Sequence, residues 1–535
     1  MTVDRPVDVD RDLTRAGIAA GSLRGRPVVV LGLARTGVAL ARFFHDAGAA
    51  VTVYDRKPAD ELGPAIEALG GRPITLAVGP AVQPADAIRG AALIAFSPSA
   101  NPAFPTADDG LRRALDPVVA ARAAGDPAAP PLVSEPDLFL RLCVAPTVGV
   151  TGTKGKTTTS SLAATLLAAD RRHPVVLGGN IGTPLVERAM ALTPDHRVVL
   201  ELSELQLPAL TRGTTVAVYT NVTSDHLDRH GSLSAYRGVK RRLAELVDPD
   251  GVLVLDLDDP VVASYAALGP TPTLMYRLDR PLPGGVGVVD GWIVAAGVER
   301  LPLAGGGAAM TGPGGRILPV AELAIPGRHN VSNALAAVGV ALIFGVAPDA
   351  IRAAASGFTG VEHRLEPVAL IDGVRFVNDS QGTQPDAVAA ALRSFEPPIV
   401  LIAGGRDKGL DLSALGPVAA ERAAAAVLIG ESAPALGELF AAAGLERVER
   451  APDLDAAVAR ADAIARDLLA AGVGGPGATA TVLLSPAAAS FDMFVDYAAR
   501  GQAFKVAVAA LAARRGSRGP GASRDRTRAG SEPPA

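Results

Sequence analysis

The feature that most constrains this chain of 535 residues is the run Thr151-Gly152-Thr153-Lys154-Gly155-Lys156-Thr157-Thr158. It follows the apolar segment Pro146-Thr-Val-Gly-Val150 and opens a helical pattern from about Lys156 to Ala169. A buried strand that feeds a glycine-rich turn and then a helix begins a parallel α/β unit. Glycines let the backbone wrap close to phosphate oxygens, while the turn amides and the helix N-terminus face the negative charge. In such a loop Lys156 reaches the β- and γ-phosphates of ATP and Thr157 holds Mg²⁺ through its hydroxyl. Gly152, Thr153, Lys154, Gly155 and Thr158 are the further nucleotide-binding candidates. The strict pattern has glycine at position 150, where this chain has Val150, so the loop is a variant.

The same punctuation recurs on both sides of this loop. Pro27-Val-Val-Val-Leu-Gly32, a helical pattern from Gly37 to Ala47 and Ala50-Val-Thr-Val-Tyr-Asp55 make a βαβ opening, with another strand over Ala91–Phe96. Strands are predicted in the middle at Val175–Leu177, Val198–Leu202, Val216–Thr220 and Val252–Leu255. Beyond Phe358 they fall at Val374–Val377, Pro398–Ile402, Ala426–Ile429 and Thr481–Leu484, between alanine-rich helices. At roughly 150 residues per domain, three α/β domains are expected. They are a Rossmann-like domain over 22–142, a central domain with a mainly parallel, P-loop-type sheet over 143–356, and a second Rossmann-like domain over 357–512. Residues 1–21 are expected as a disordered extension and 513–535 as a basic disordered tail.

Composition narrows the function classes. A net charge of −4 gives no support for nucleic acid as the main partner. Cys143 stands alone, so no disulfide framework can form within the chain, as suits a reducing compartment. No run of about 20 uncharged apolar residues marks a membrane span. A soluble, cytoplasmic protein is expected, as a monomer.

The loop Gly152-Thr-x-Gly-Lys-Thr157 resembles that of the Mur ligase family, which includes the folylpolyglutamate synthases. Further segments support the resemblance in order: Gly178-Gly179-Asn180-Ile181-Gly182, Glu201-Leu-Ser203-Glu-Leu-Gln206, Asn221-Val-Thr-Ser-Asp225-His226-Leu-Asp228, Tyr236-Arg-Gly-Val-Lys240, Gly327-Arg-His329-Asn330-Val-Ser-Asn333, His363-Arg364 and Asp379-Ser380. The resemblance implies catalytic roles for Lys156, Glu201, His226 and Lys240. It implies two Mg²⁺ ions held by Thr157, Glu201, His226 and Lys240, the lysine serving as an oxygen ligand once CO₂ has turned it into a carbamate. It places Asn330, Asn333, Arg364 and Asp379 at ATP. Chemistry needs charge neutralisation of two anions, which cations at these positions supply.

Within the family the ends of the chain resemble the glutamate-adding branch. Gly32-Leu-Ala-Arg35-Thr36-Gly37 and Asp55-Arg56 imply a site for UDP-N-acetylmuramoyl-L-alanine, with Ser97, Asn180, Ser203 and Gln206. Taken alone, that turn reads as a nicotinamide-dependent oxidoreductase, which leaves the phosphate loop and third domain without a role. Leu483-Leu484-Ser485-Pro486-Ala-Ala-Ala-Ser490-Phe491-Asp492-Met-Phe494 and Gly404-Gly405-Arg-Asp-Lys408-Gly imply a glutamate site with Thr383, Lys408, Ser490, Phe491 and Tyr497. Gln381 and Gln384 stand where lysine and asparagine are usual, and Lys154 where asparagine is common. The implied reaction is ATP-dependent ligation through an acyl phosphate, with domain closure to exclude water. D-glutamate is the expected acceptor. L-glutamate, another Mur-type or folylpolyglutamate-type acceptor and an inactive nucleotide-binding relative remain alternatives.

Overall fold

Uninterrupted apolar runs such as Pro27–Leu31 and Thr147–Thr151 bury nearly every residue, as central strands of parallel sheets covered on both faces do. The computed structural model describes residues 6–516 apart from 104–107, 225–226, 299–310, 326 and 408–410. Three sheets result. The first holds β1 (Pro27–Leu31), β2 (Ala50–Asp55), β3 (Thr75–Val78), β4 (Leu93–Phe96) and β5 (Leu132–Ser134), all parallel, in the order β3-β2-β1-β4-β5.

The second holds β6 (Thr147–Thr151), β7 (Val175–Gly179), β8 (Arg197–Glu201), β9 (Val216–Tyr219), β10 (Val252–Asp256), β11 (Thr273–Tyr276), β12 (Gly285–Val289), β13 (Trp292–Ala296) and β14 (Arg316–Pro319). Its order is β14-β13-β12-β11-β10-β9-β6-β8-β7, parallel except for the last two additions, β13 and β14. The third holds β15 (Glu366–Ile371), β16 (Val374–Asn378), β17 (Ile399–Gly404), β18 (Ala425–Ile429), β19 (Val448–Arg450) and β20 (Ala480–Leu484), in the order β15-β16-β20-β17-β18-β19 with only β15 antiparallel. The first two sheets lie in one compact unit, Met1–Phe358, and the third in another, Thr359–Ala535.

Ligands of open α/β sheets bind beyond the carboxyl ends of strands, where the strand order reverses. In the first sheet that point is β1, flanked by β2 and β4. In the second it is β6, flanked by β8 and β9. The strands missed in the sequence, β3, β5, β11–β15 and β19, are short or half exposed. β13 alternates buried and partly exposed positions in an antiparallel hairpin, and β15 is exposed along much of its length. Such strands lack the buried run that marks the others.

The N-terminal segment corrects an expectation. Residues 9–19 are helical rather than disordered, as the helices Val9–Asp12 and Arg15–Ala19, capped by the side chains of Asp8 and Thr14. Val7 and Leu13 are buried in the core of the unit. Two isolated apolar residues among charged ones give no periodic signal, yet each fills a prepared hollow. The segment straddles the first two sheets. The Val7 amide donates to the Ala92 carbonyl, while the Arg15 guanidinium donates to the carbonyls of Ala189, Met190 and Leu192. Asp10 pairs with Arg141 and Arg212. At the other end, the helix Tyr497–Gly516 continues past residue 513, and the rest of the expected tail lies outside the described residues.

The helix Glu135–Leu142 links the two sheets, and its first residue is almost wholly enclosed. Glu135 Oε1 accepts from the amides of Leu185 (2.7 Å) and Val186 (2.9 Å). Burial outweighs these bonds and pushes the carboxyl up to about 7. A folded-state value above the unfolded one favours folding most below about pH 4.5, and that contribution is lost as pH rises through 7. The loss amounts to about 3 kcal/mol. Glu135→Gln keeps an acceptor for both amides and carries no charge. Its melting temperature should exceed that of the parent by a few degrees at pH 8 and by much less at pH 5. Equal offsets at both pH values in calorimetry would exclude this account.

Candidate active site

The loop after β6 carries the strongest candidates. The helix Lys156–Ala168 begins at Gly155 (φ 84°), which offers no side-chain cap, and its first turn holds no acidic residue. Elsewhere in the chain Asp108, Ser134, Ser232, Asp259 and Asp453 cap their helices with side-chain acceptors. A helix start with neither a side-chain cap nor a first-turn carboxylate suits an anion from outside. Glycine is required at two places. A Cβ on Gly152 would lie 2.0 Å from Thr220 Oγ1, and one on Gly155 would lie 2.4 Å from Asn333 Oδ1. Lys156 Nζ folds back to donate to the carbonyls of Gly152 and Thr153, both at 2.9 Å. Thr157 is buried, Thr158 is partly exposed and Lys154 is exposed.

Neighbouring strand ends clamp this loop. The Lys154 amide donates to Asn221 Oδ1 (2.9 Å), Asn221 Nδ2 donates back to the Lys154 carbonyl (3.0 Å), and the Thr153 amide donates to the Asn221 carbonyl. Thr153 Oγ1 meets the Tyr236 hydroxyl at 2.9 Å. Neither Asn221 nor Tyr236 was singled out from the sequence as a site residue. The register of β9 against β6 places Asn221 beside the loop, because Thr151 pairs with Tyr219 two residues earlier. Asn333, expected at ATP, lies directly against the phosphate loop. Its Oδ1 accepts from Thr159 Oγ1 and its Nδ2 donates to Asn330 Oδ1.

Lys240 is fully buried below the same loop. Its Nζ donates to the Gly152 carbonyl (3.0 Å) and to Thr151 Oγ1 (3.3 Å), and lies 5.5 Å from the Tyr236 ring centre. These contacts suit an ammonium that braces the loop from beneath. Glu201 ends β8, beside β6. Its side chain is buried, and Oε1 accepts from Asn180 Nδ2 at 2.8 Å, whereas Oε2 is enclosed with no hydrogen-bond partner. A carboxylate oxygen left unpaired in the interior is costly unless a cation meets it. Glu201 and Thr157 therefore fit a hard cation that takes oxygen ligands. Among the described residues no three His, Cys, Asp or Glu side chains converge. Asp225 and His226 lie outside the described residues.

The first sheet's switch point adjoins this region. Asp55 accepts from the amides of Leu33 (2.7 Å) and Lys57 (2.9 Å), so it shapes the turn that carries Arg35 and Thr36. Arg35 and Arg56 are exposed. Gly32 (φ 88°) packs against buried Ser97, whose Oγ would lie 2.6 Å from a Cβ there. Asn101 Nδ2 donates to the Leu205 carbonyl, joining this sheet to the segment after β8. Within that segment Gln206 Oε1 accepts from the Ser203 amide and hydroxyl. Glu204, where the resemblance has serine, pairs with Arg229 at 3.1 Å.

In the other unit the loops after β16, β20 and β17 stand side by side. Asp379 is buried; it accepts from Ser485 Oγ (2.6 Å) and the Leu365 amide (3.2 Å), and burial pushes its carboxyl up to about 6. The backbones of Gly382 and Ala487 bond, which sets Thr383 beside the segment leading to Ser490. Ser490 is buried, Phe491 is 64% exposed, and Tyr497 opens the last helix. Arg364 is exposed, and Lys408 lies outside the described residues.

Comparison with known proteins bears on this geometry. Residues 150–341 match the Mur ligase middle domain, and residues 363–473 match the family described as Mur ligase, glutamate ligase domain. A UDP-N-acetylmuramoylalanine–D-glutamate ligase of Symbiobacterium thermophilum is 36% identical over 92% of this chain and 100% of its own length. The chain belongs to the Mur ligase family. Proteins of the same name from Pelotomaculum thermopropionicum (36% identical over 91% of this chain and 98% of theirs) and Acidobacterium capsulatum (37%, 90% and 96%) are similarly close. In this Mur ligase the middle-domain match spans the phosphate loop, Glu201, Lys240 and Asn333. The glutamate-ligase match opens at His363 and includes Asp379 and Thr383.

Proposed function

We propose that this chain joins D-glutamate to UDP-N-acetylmuramoyl-L-alanine at the expense of ATP, in cytoplasmic assembly of peptidoglycan precursors. What supports the reading most is identity of 36–37% to ligases of that name over at least nine-tenths of both chains. The uncapped, clamped loop at Gly152–Thr158 supplies the chemistry such a ligase needs. No described helix is long and apolar enough to cross a membrane.

The residues divide the work as follows. The loop amides and Lys156 hold the phosphates of ATP and stabilise the γ-phosphoryl group as the substrate carboxylate attacks it. Thr157 and Glu201 would hold Mg²⁺, which supplies positive charge between phosphate and carboxylate. A second ion would fall to His226 and, if carbamylated, Lys240. As placed, Lys240 instead braces the loop as a donor. A mass increase of one CO₂ on the native protein in bicarbonate would assign the carbamate. Asn330, Asn333, Arg364 and Asp379 are assigned to ATP. The turn with Arg35, Thr36, Asp55 and Arg56, with Ser97, Asn180, Ser203 and Gln206, is assigned to the UDP-linked substrate. Asp55, Asn180 and Gln206 act there by shaping backbone and by orienting Glu201. Thr383, Lys408, Ser490, Phe491 and Tyr497 receive glutamate. Its amine attacks the acyl phosphate, and the tetrahedral intermediate collapses to amide and phosphate.

The deciding experiment is phosphate release with ATP, Mg²⁺ and UDP-N-acetylmuramoyl-L-alanine, offering D- or L-glutamate. Amide product with only the D-isomer is expected. Product with only the L-isomer would keep the mechanism and replace the acceptor. Product with neither would reject the substrate assignment.

A further inference from the structure

Arg500, on the helix Tyr497–Gly516, is the largest of the side chains buried to less than 2% exposure. Its guanidinium forms five hydrogen bonds, all to neutral acceptors. Nε donates to Ser380 Oγ (3.0 Å) and one terminal nitrogen to the carbonyls of Ser380 (2.9 Å) and Ala488 (3.2 Å). The other donates to the carbonyls of Ala488 and Ala489 (both 3.2 Å). Every N–H of the fork is used. Burial lowers its basicity to about 10, which leaves it charged at neutral pH. A buried cation with hydrogen bonds only to neutral groups is a poor device for stability alone.

The acceptors reveal its place. Ser380 follows β16, in the turn that leads to Thr383. Ala488 and Ala489 follow β20, one residue before Ser490. Ala489 also exchanges backbone hydrogen bonds with Arg406, beyond β17 and two residues before Lys408. A Cβ on Gly405 would lie 2.2 Å from the Ala489 carbonyl and 3.0 Å from the Arg500 guanidinium, so the third strand end is pressed onto the same hub. Ser380 Oγ in turn donates to the Tyr497 carbonyl at 2.7 Å.

We infer that Arg500 is a positioning residue for the glutamate site: its fork locks the ends of β16, β20 and β17 so that Thr383, Ser490 and Tyr497 keep one mutual geometry. The inference rests on the assignment of glutamate to these loops. Lysine at this position keeps the charge but bonds from a single point, so it cannot hold two turns at fixed spacing. Misplacement of a substrate-positioning group by about 1 Å costs up to 10²-fold.

Three measurements on full-length protein test it. In Arg500→Lys, amide hydrogen exchange should accelerate at Asp379–Thr383 and Ser485–Ser490 and stay unchanged at Gly152–Thr158; this readout does not depend on the substrate. In steady-state kinetics, the KM for glutamate should rise about 10–100-fold, well beyond any rise in that for ATP, most of whose assigned contacts lie outside the loosened turns. Ser380→Ala, a milder change that removes one acceptor of the fork and the bond to the Tyr497 carbonyl, should raise the glutamate KM severalfold in the same direction. Wild-type exchange protection in Arg500→Lys, or a glutamate KM that does not move apart from that of ATP in both variants, would overturn the inference. If the wild type makes no amide from glutamate, the activity assignment fails by itself and the exchange comparison still decides whether Arg500 locks the turns.

Discussion

Lys156→Ala should lower ATP-dependent ligation by a factor on the order of 10²–10³, with phosphate release falling in parallel. The reason is geometric. On the proposed reading the loop amides face the phosphates of ATP, but amides are only partial charges, and Lys156, at the helix entrance, would bring a full positive charge to the transferring group. Its Nζ already sits within the loop, 2.9 Å from two loop carbonyls, so it needs no long excursion to meet a ligand. Those bonds also limit the structural cost. Their loss leaves two carbonyls in a partly exposed region, at about 1 kcal/mol each or less. A unit of this size should then melt only a few degrees lower. Initial-rate assays beside calorimetry separate the effects. A variant that melts normally and ligates at the parental rate would remove the loop from the mechanism.

Glu201→Gln should separate stability from activity in the opposite sense. Glutamine retains an oxygen for Asn180 Nδ2 and places a neutral amide where Oε2 is now enclosed without a partner. Without Mg²⁺ the variant should melt at or above the parental temperature, because an unpaired buried charge has been removed. With ATP it should need about 10–100 times more Mg²⁺ for half-maximal rate, since a charged ligand has become a neutral one. Parental Mg²⁺ dependence would place the cation elsewhere and leave Oε2 as an unexplained structural defect.

Much of this site could be read before any coordinates, and for a definite reason. Residues such as Lys156, Thr157 and Glu201 lie at the carboxyl ends of buried parallel strands, where apolar runs stop at glycine or a carboxylate. That transition is local and visible. Asn221 was visible as part of a signature, but its task depended on the register of β9 against β6, which is a non-local fact. Arg500, with Gly501, extends the signature at Leu483–Phe494, but the sequence alone gives it no role. On a helix an arginine reads as solvent-facing, and only the convergence of the turns after β16 and β20 beneath it makes four acceptor atoms available for its five hydrogen bonds. Asp55, Asn180 and Gln206 were found, but their hydrogen bonds run to backbone and to Glu201, so they serve the site by shaping it. The strands β13, β14 and β15 escaped because antiparallel strands at or beside a sheet edge are partly exposed and lack the buried run.

The N-terminal helices carry a consequence for the order in which this protein is made. The segment that holds Val7, Asp10 and Arg15 leaves the ribosome before its distant partners do. Its partners at Ala189, Met190, Leu192 and Arg212 follow 174–202 residues later in the chain. At about 5–20 residues per second, it must wait on the order of ten seconds or more for them to be synthesised. In that interval it can meet only its nearer partners, Ala92 and Arg141. The segment can thus complete its contacts only once the chain through Arg212 has been made.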